Sequence, residues 1–75
     1  MSSENRFLTD LLTQKLILKV MEDWGMSTIE AMSAVYNSQT YEKILDLSTG
    51  LYYQSAAYNY ELLKHELQTG RLAEI

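Results

Sequence analysis

Seventy-five residues with no cysteine, no proline and a formal net charge of -4 describe one small acidic domain. That length leaves no room for a second core and lets only about 60% of the unfolded chain's surface be buried. The missing thiols exclude disulfides and thiolate metal sites, and the basic residues Arg6, Lys15, Lys19, Lys43, Lys64 and Arg71 are too scattered for a nucleic-acid stripe or an anionic membrane.

The three glycines, Gly25, Gly50 and Gly70, each follow a stretch with helical spacing, where a left-handed C-terminal cap belongs. The first block covers residues 4–24. Its apolar residues form two stripes: Phe7, Leu8, Leu11 and Leu12, then Ile17, Val20, Met21 and Trp24 with Leu16 at the edge. At about 100° per residue the two lie nearly opposite, so a continuous helix must touch different neighbours at its two ends. The alternative is a frayed start and a helix beginning after Asp10.

Ser27-Thr28-Ile29-Glu30 has the capping-box pattern and opens a second, short helix with Ile29, Met32, Val35 and Tyr36 on one face. Asn37 stops it, through its tolerance of the left-handed conformation, and Ser38 caps a third helix over residues 39–47. Tyr41, Ile44 and Leu45 share a side of that helix. Asp46-Leu47-Ser48-Thr49-Gly50 is a turn rich in residues that bond their own backbone. The last helix runs over residues 51–69, or starts at a Ser55 cap if residues 51–54 are extended. Tyr52, Tyr53, Ala56, Tyr60, Leu63 and Leu67 hold one of its faces; Leu51, Tyr58 and Leu62 hold another. Gln54, Glu61, Lys64, His65 and Gln68 face solvent.

No grouping of reactive side chains emerges. His65, the only histidine, sits one turn after Glu61 on the polar face, where a solvated histidine outweighs an acid–base pair. His65-Glu66-Leu67-Gln68-Thr69 opens like a zinc-protease motif, but Thr69 holds the second ligand position. Asp10, Glu22, Asp23, Glu30, Glu42, Asp46, Glu61, Glu66 and Glu74 lie on separate elements without calcium-loop spacing. No base is placed for Ser27, Ser38, Ser48 or Ser55, and no glycine-rich phosphate cradle occurs. No catalytic, cofactor-binding or metal residue is therefore assigned.

Six tyrosines stand out: Tyr36, Tyr41, Tyr52, Tyr53, Tyr58 and Tyr60. Most are expected to roof a small core, while Tyr53 and Tyr58, at the edges of the last helix's apolar arc, are candidates to face a partner. The second and third helices also suit a helix-turn-helix with Gln39 addressing adenine. One cation beside one carboxylate, Lys43 and Glu42, is poor equipment for that.

The residues Tyr36-Asn37-Ser38-Gln39-Thr40-Tyr41-Glu42-Lys43-Ile44 and Thr49-Gly50-Leu51-Tyr52-Tyr53-Gln54-Ser55, with Tyr58, Tyr60, Glu61 and Leu63, resemble a group of short uncharacterised bacterial proteins. That group shares a Thr-Gly-Leu-Tyr-x-Gln-Ser stretch, and the likeness covers residues 27–67. It implies a bacterial origin, a small helical fold and an antitoxin-like association, and brings no activity or catalytic residue.

The expected architecture is all-α: a single-domain bundle of three or four helices, two longer and one or two short, spanning residues 1–75. Residues 1–5 and 71–75 are expected to be frayed. No signal-peptide pattern is present and the longest aliphatic run is Leu16-Ile17-Leu18, so a cytoplasmic protein is expected. Surplus apolar surface points to a non-enzymatic interaction module, a homodimer or the companion of a protein partner. The candidate interface is Phe7, Leu8, Leu11, Leu12, Tyr53, Tyr58 and Leu62. A helix-turn-helix regulator or antitoxin-like protein is the alternative.

Overall fold

Capping residues set the helix boundaries. The computed structural model describes residues 2–70, so Met1 and the tail at 71–75 lie outside it. Ser2 Oγ accepts from Asn5 N at 3.2 Å and opens α1, Ser3–Trp24, which runs unbroken to Gly25 at φ 65°. The continuous reading of the first block holds. Residues 3–5 belong to its first turn, which the Ser2 cap and the Glu4 carboxylate both favour.

Helix α2, Thr28–Tyr36, begins with the reciprocal capping box. Glu30 N donates to Ser27 Oγ at 3.2 Å, and Ser27 N donates to Glu30 Oε1 at 2.9 Å. Hydrogen bonding from Ser27 to the carboxylate, from its backbone N–H foremost and then from its side chain, holds the Glu30 carboxyl below its ordinary value. Asn37 ends α2 at φ -94°, outside the left-handed region expected for it, with its side-chain amide donating to Ser33 O at 2.9 Å. Ser38 caps α3, Gln39–Leu45, by accepting from Tyr41 N at 3.0 Å.

Two 3-10 turns follow, Leu47–Thr49 and Leu51–Tyr53, with Gly50 between them at φ 69°. Residues 51–54 are thus neither the first turn of the last helix nor an extended strand. The last helix, α4, is Ala56–Thr69, capped by Ser55, whose Oγ accepts from Tyr58 N at 3.0 Å. The result is all-α among the described residues: two longer and two short helices around one core.

That core is Leu12, Leu16, Ile17 and Val20 of α1, Ala31 and Val35 of α2, Ile44 of α3, Leu51 of the second 3-10 turn, and Tyr60 and Leu63 of α4. Helix α1 lies most extensively along α2 and also meets α4 and the second 3-10 turn. Its core stripe passes straight through two buried threonines, Thr9 and Thr13, and so continues where the apolar pattern breaks. The α2 face is likewise rotated from the expected one. Ala31 and Val35 are buried, whereas Ile29, Met32 and Tyr36 are exposed. On α3 Ile44 alone of the expected trio is fully buried; Tyr41 is half-buried against the core and Leu45 is exposed.

Candidate interaction surface

The rotation of both faces leaves apolar side chains outside. On α1, Phe7, Leu11 and Leu18 recur at intervals of four and seven residues. At about 100° per residue they stand within some 30° of the line opposite the Thr9–Thr13–Leu16–Val20 core stripe. Phe7 keeps 66% of its surface exposed, Leu18 63% and Leu11 39%. Among the described residues they form a ridge that is open on its outer side, although Leu11 also lines a pocket with Tyr52 and Tyr53 of the second 3-10 turn.

Beside the ridge runs a groove between α1 and α2, lined by Gln14, Ile17, Leu18, Met21, Thr28, Met32 and Tyr36, with a volume of about 420 Å³. Ile29, 80% exposed, belongs to the same face of α2 as Met32 and Tyr36. Tyr36 is steadied by its ring contact with Tyr41, edge to face at 5.1 Å between centroids. Burial, with Tyr36 and Asp10 adding to it, raises the Tyr41 hydroxyl above its ordinary value. Methionine lining suits such a groove to an apolar occupant of adjustable shape.

The residues expected at an interface are only partly brought together. Leu8, Leu11, Leu12 and Tyr53 line one pocket of about 190 Å³ where the second 3-10 turn meets α1. Within it Leu12 is buried and belongs to the core, and Leu8 is half-buried. Tyr53 is exposed, its ring beside that of Tyr52 at 4.3 Å. Tyr58 is exposed on α4, and Leu62 is half-buried against the core. The tyrosines split evenly: Tyr60 is buried, Tyr41 and Tyr52 half-buried, and Tyr36, Tyr53 and Tyr58 exposed.

Leu18, Met32 and Tyr36 are absent from the expected set. Leu18 had a legible signal, since it continues the Phe7–Leu11 line on a straight helix. Met32 and Tyr36 had none, because apolar residues at helical spacing read first as core.

The polar groups make structural contacts. Glu66 of α4 reaches the start of α3, where its Oε2 accepts from Gln39 N at 2.7 Å and its Oε1 accepts from Thr40 N at 2.9 Å and Thr40 Oγ1 at 2.8 Å. Tyr60 donates to Asp23 Oδ2 at 2.6 Å, tying α4 to the end of α1. Burial, then this bond, pushes the Tyr60 hydroxyl up to about 12. Asn59, fully buried, donates to Leu51 O at 2.9 Å and Ser55 O at 3.1 Å and so pins the second 3-10 turn to α4.

His65 and Glu61 are both exposed. Among the described residues no three His, Cys, Asp or Glu side chains are grouped to hold a metal ion. No helix among them is long and apolar enough to cross a membrane. No protein-family model matches the chain, and no curated protein or solved structure is significantly similar to it.

Proposed function

We propose that this chain is a non-enzymatic, cytoplasmic protein-interaction module that buries the outer face of α1, and the groove beside it, against a protein partner. The observation that carries this reading is the Phe7–Leu11–Leu18 ridge, three large apolar side chains in line on the face turned away from the core. Single exposed apolar residues need no explanation; a continuous line of them bordering an apolar groove marks an interaction site.

The helix-turn-helix alternative draws less support. Its reading helix would be α3, only seven residues long. The N–H groups at its start are already occupied by the Glu66 carboxylate, which puts negative charge where a DNA phosphate would approach. An antitoxin-like role is compatible with the interaction reading and would use the same ridge.

Site-specific photo-cross-linking in the native host tests the proposal. A benzophenone side chain at Leu18 is expected to yield a discrete protein adduct, and the same group at exposed Glu61 none. Adducts at neither position, or equally at both, would count against it. An adduct with a second copy and one with a different protein both agree with it.

A further inference from the structure

Resting on the interaction reading above, we infer that the partner is a second copy of this chain, with the two α1 helices crossing antiparallel about Gln14. Ridge and groove lie side by side on one protomer, so a two-fold axis sets the ridge of each copy into the groove of the other. That is an isologous contact, self-complementary by construction.

The direction of crossing follows from where each feature lies along α1. Phe7 and Leu11 lie outside the groove, Leu11 also bordering the pocket at the second 3-10 turn, whereas the groove occupies Gln14 to Met21. Antiparallel α1 helices lay the bare ridge of one copy over the groove half of the other. Parallel helices would oppose ridge to ridge and groove to groove. Around Gln14, Leu11 of one copy meets Leu18 of the second, and Phe7 reaches toward its Met21. The two Gln14 amides come together on the axis, where each can donate to and accept from the other. A lone polar pair of this kind fixes register in helical interfaces.

The area fits a second copy. Phe7, Leu11, Leu18, Ile29, Met32 and Tyr36 together expose roughly 600 Å² of side-chain surface per protomer, given about 150–250 Å² for a whole large side chain. A standard interface takes about 800 Å² from each partner, with an apolar centre and a polar rim.

The absence of native cysteine makes the test clean. Under mild oxidation, Gln14→Cys is expected to form a disulfide-linked dimer as its main product, since a crossing there brings the two thiols within bonding distance. Glu4→Cys is expected to stay unlinked, because the two sites would lie roughly 30 Å apart at ~1.5 Å per residue. In sedimentation equilibrium the native chain should dimerise at micromolar concentration. Leu18→Asp, on an exposed side chain and with its helicity checked by circular dichroism, should raise the dissociation constant by on the order of thirtyfold.

A native chain that stays monomeric up to about 1 mM would overturn the inference. So would Glu4→Cys linking as readily as Gln14→Cys, which signals a parallel pair. A monomer that still gives a discrete adduct with another protein in cells overturns this inference and leaves the interaction reading standing. A monomer with no adduct at all sinks both.

Discussion

Glu66 shows how one side chain can settle an element far from it in sequence. A helix as short as α3 has too few internal hydrogen bonds to repay its nucleation, so it depends on what its ends touch. Ser38 satisfies Tyr41 N from within, but the two amides nearest the start, Gln39 N and Thr40 N, are served by a carboxylate 26 to 27 residues away. The same bonds anchor α4 to α3. Hydrogen bonds to a charged group contribute about 1.5–3 kcal/mol when the partners lie partly out of water. Glu66→Ala should therefore lower unfolding free energy by about 2 kcal/mol in urea titration, and should unprotect the Gln39 and Thr40 amides in hydrogen exchange. Glu61→Ala, on the exposed side of the same helix, should change stability by less than about 0.5 kcal/mol. Equal losses from the two would refute the tertiary cap.

Helix α1 is the element whose pattern and packing part company. Its core line uses Thr9 and Thr13 where an apolar residue would have advertised the buried face. The two threonines differ in one respect. Thr13 Oγ1 donates to Thr9 O at 2.7 Å, while Thr9 Oγ1 is buried with no partner among the described residues. Burying a lone hydroxyl costs about 1–3 kcal/mol, and valine has nearly the same shape. Thr9→Val should thus stabilise the protein by about 1 kcal/mol, and Thr13→Val should bring no gain, as read by denaturant midpoints. A destabilising Thr9→Val would mean that the hydroxyl is satisfied in solution. The same residues explain what was legible beforehand. Caps are written locally, in Ser27 with Glu30, in Ser38, in Ser55 and in the glycines, so the helix divisions could be read from spacing alone. Which face turns inward depends on the neighbour. Phe7, Leu11 and Ile29 look more like core than Thr9, Thr13 and Ala31 do, yet the latter three are buried, Thr9 on the side of α1 that meets Tyr41 and Leu45 of α3. Two residues of the candidate surface, Phe7 and Leu11, are therefore among those expected from the sequence, and Leu18, Ile29, Met32 and Tyr36 are not.

For the whole molecule, the distribution of apolar residues bears on where stability resides. A domain of this length buries only about 60% of its unfolded surface, and the ten buried apolar side chains among the described residues occupy one small cluster with no disulfide to supplement it. Meanwhile Phe7, Leu11, Leu18, Ile29, Met32 and Tyr36 stay in water on a single protomer. If their burial between copies contributes to stability, folding and association are linked by mass action. A hundredfold rise in protein concentration above the dissociation constant then adds about 2.7 kcal/mol per dimer, or a little over 1 kcal/mol per chain. At about 4–8 °C per kcal/mol for a domain of this size, Tm should climb by roughly 5–10 °C between micromolar and submillimolar samples in scanning calorimetry. Leu18→Asp should move that dependence to about thirtyfold higher concentration, and its Tm in dilute solution should stay close to that of the dilute native chain, since Leu18 is largely exposed on its own protomer. A Tm that ignores concentration in both proteins would place all of the stability inside the single chain. The ridge on α1 would then have to be kept for a partner other than itself.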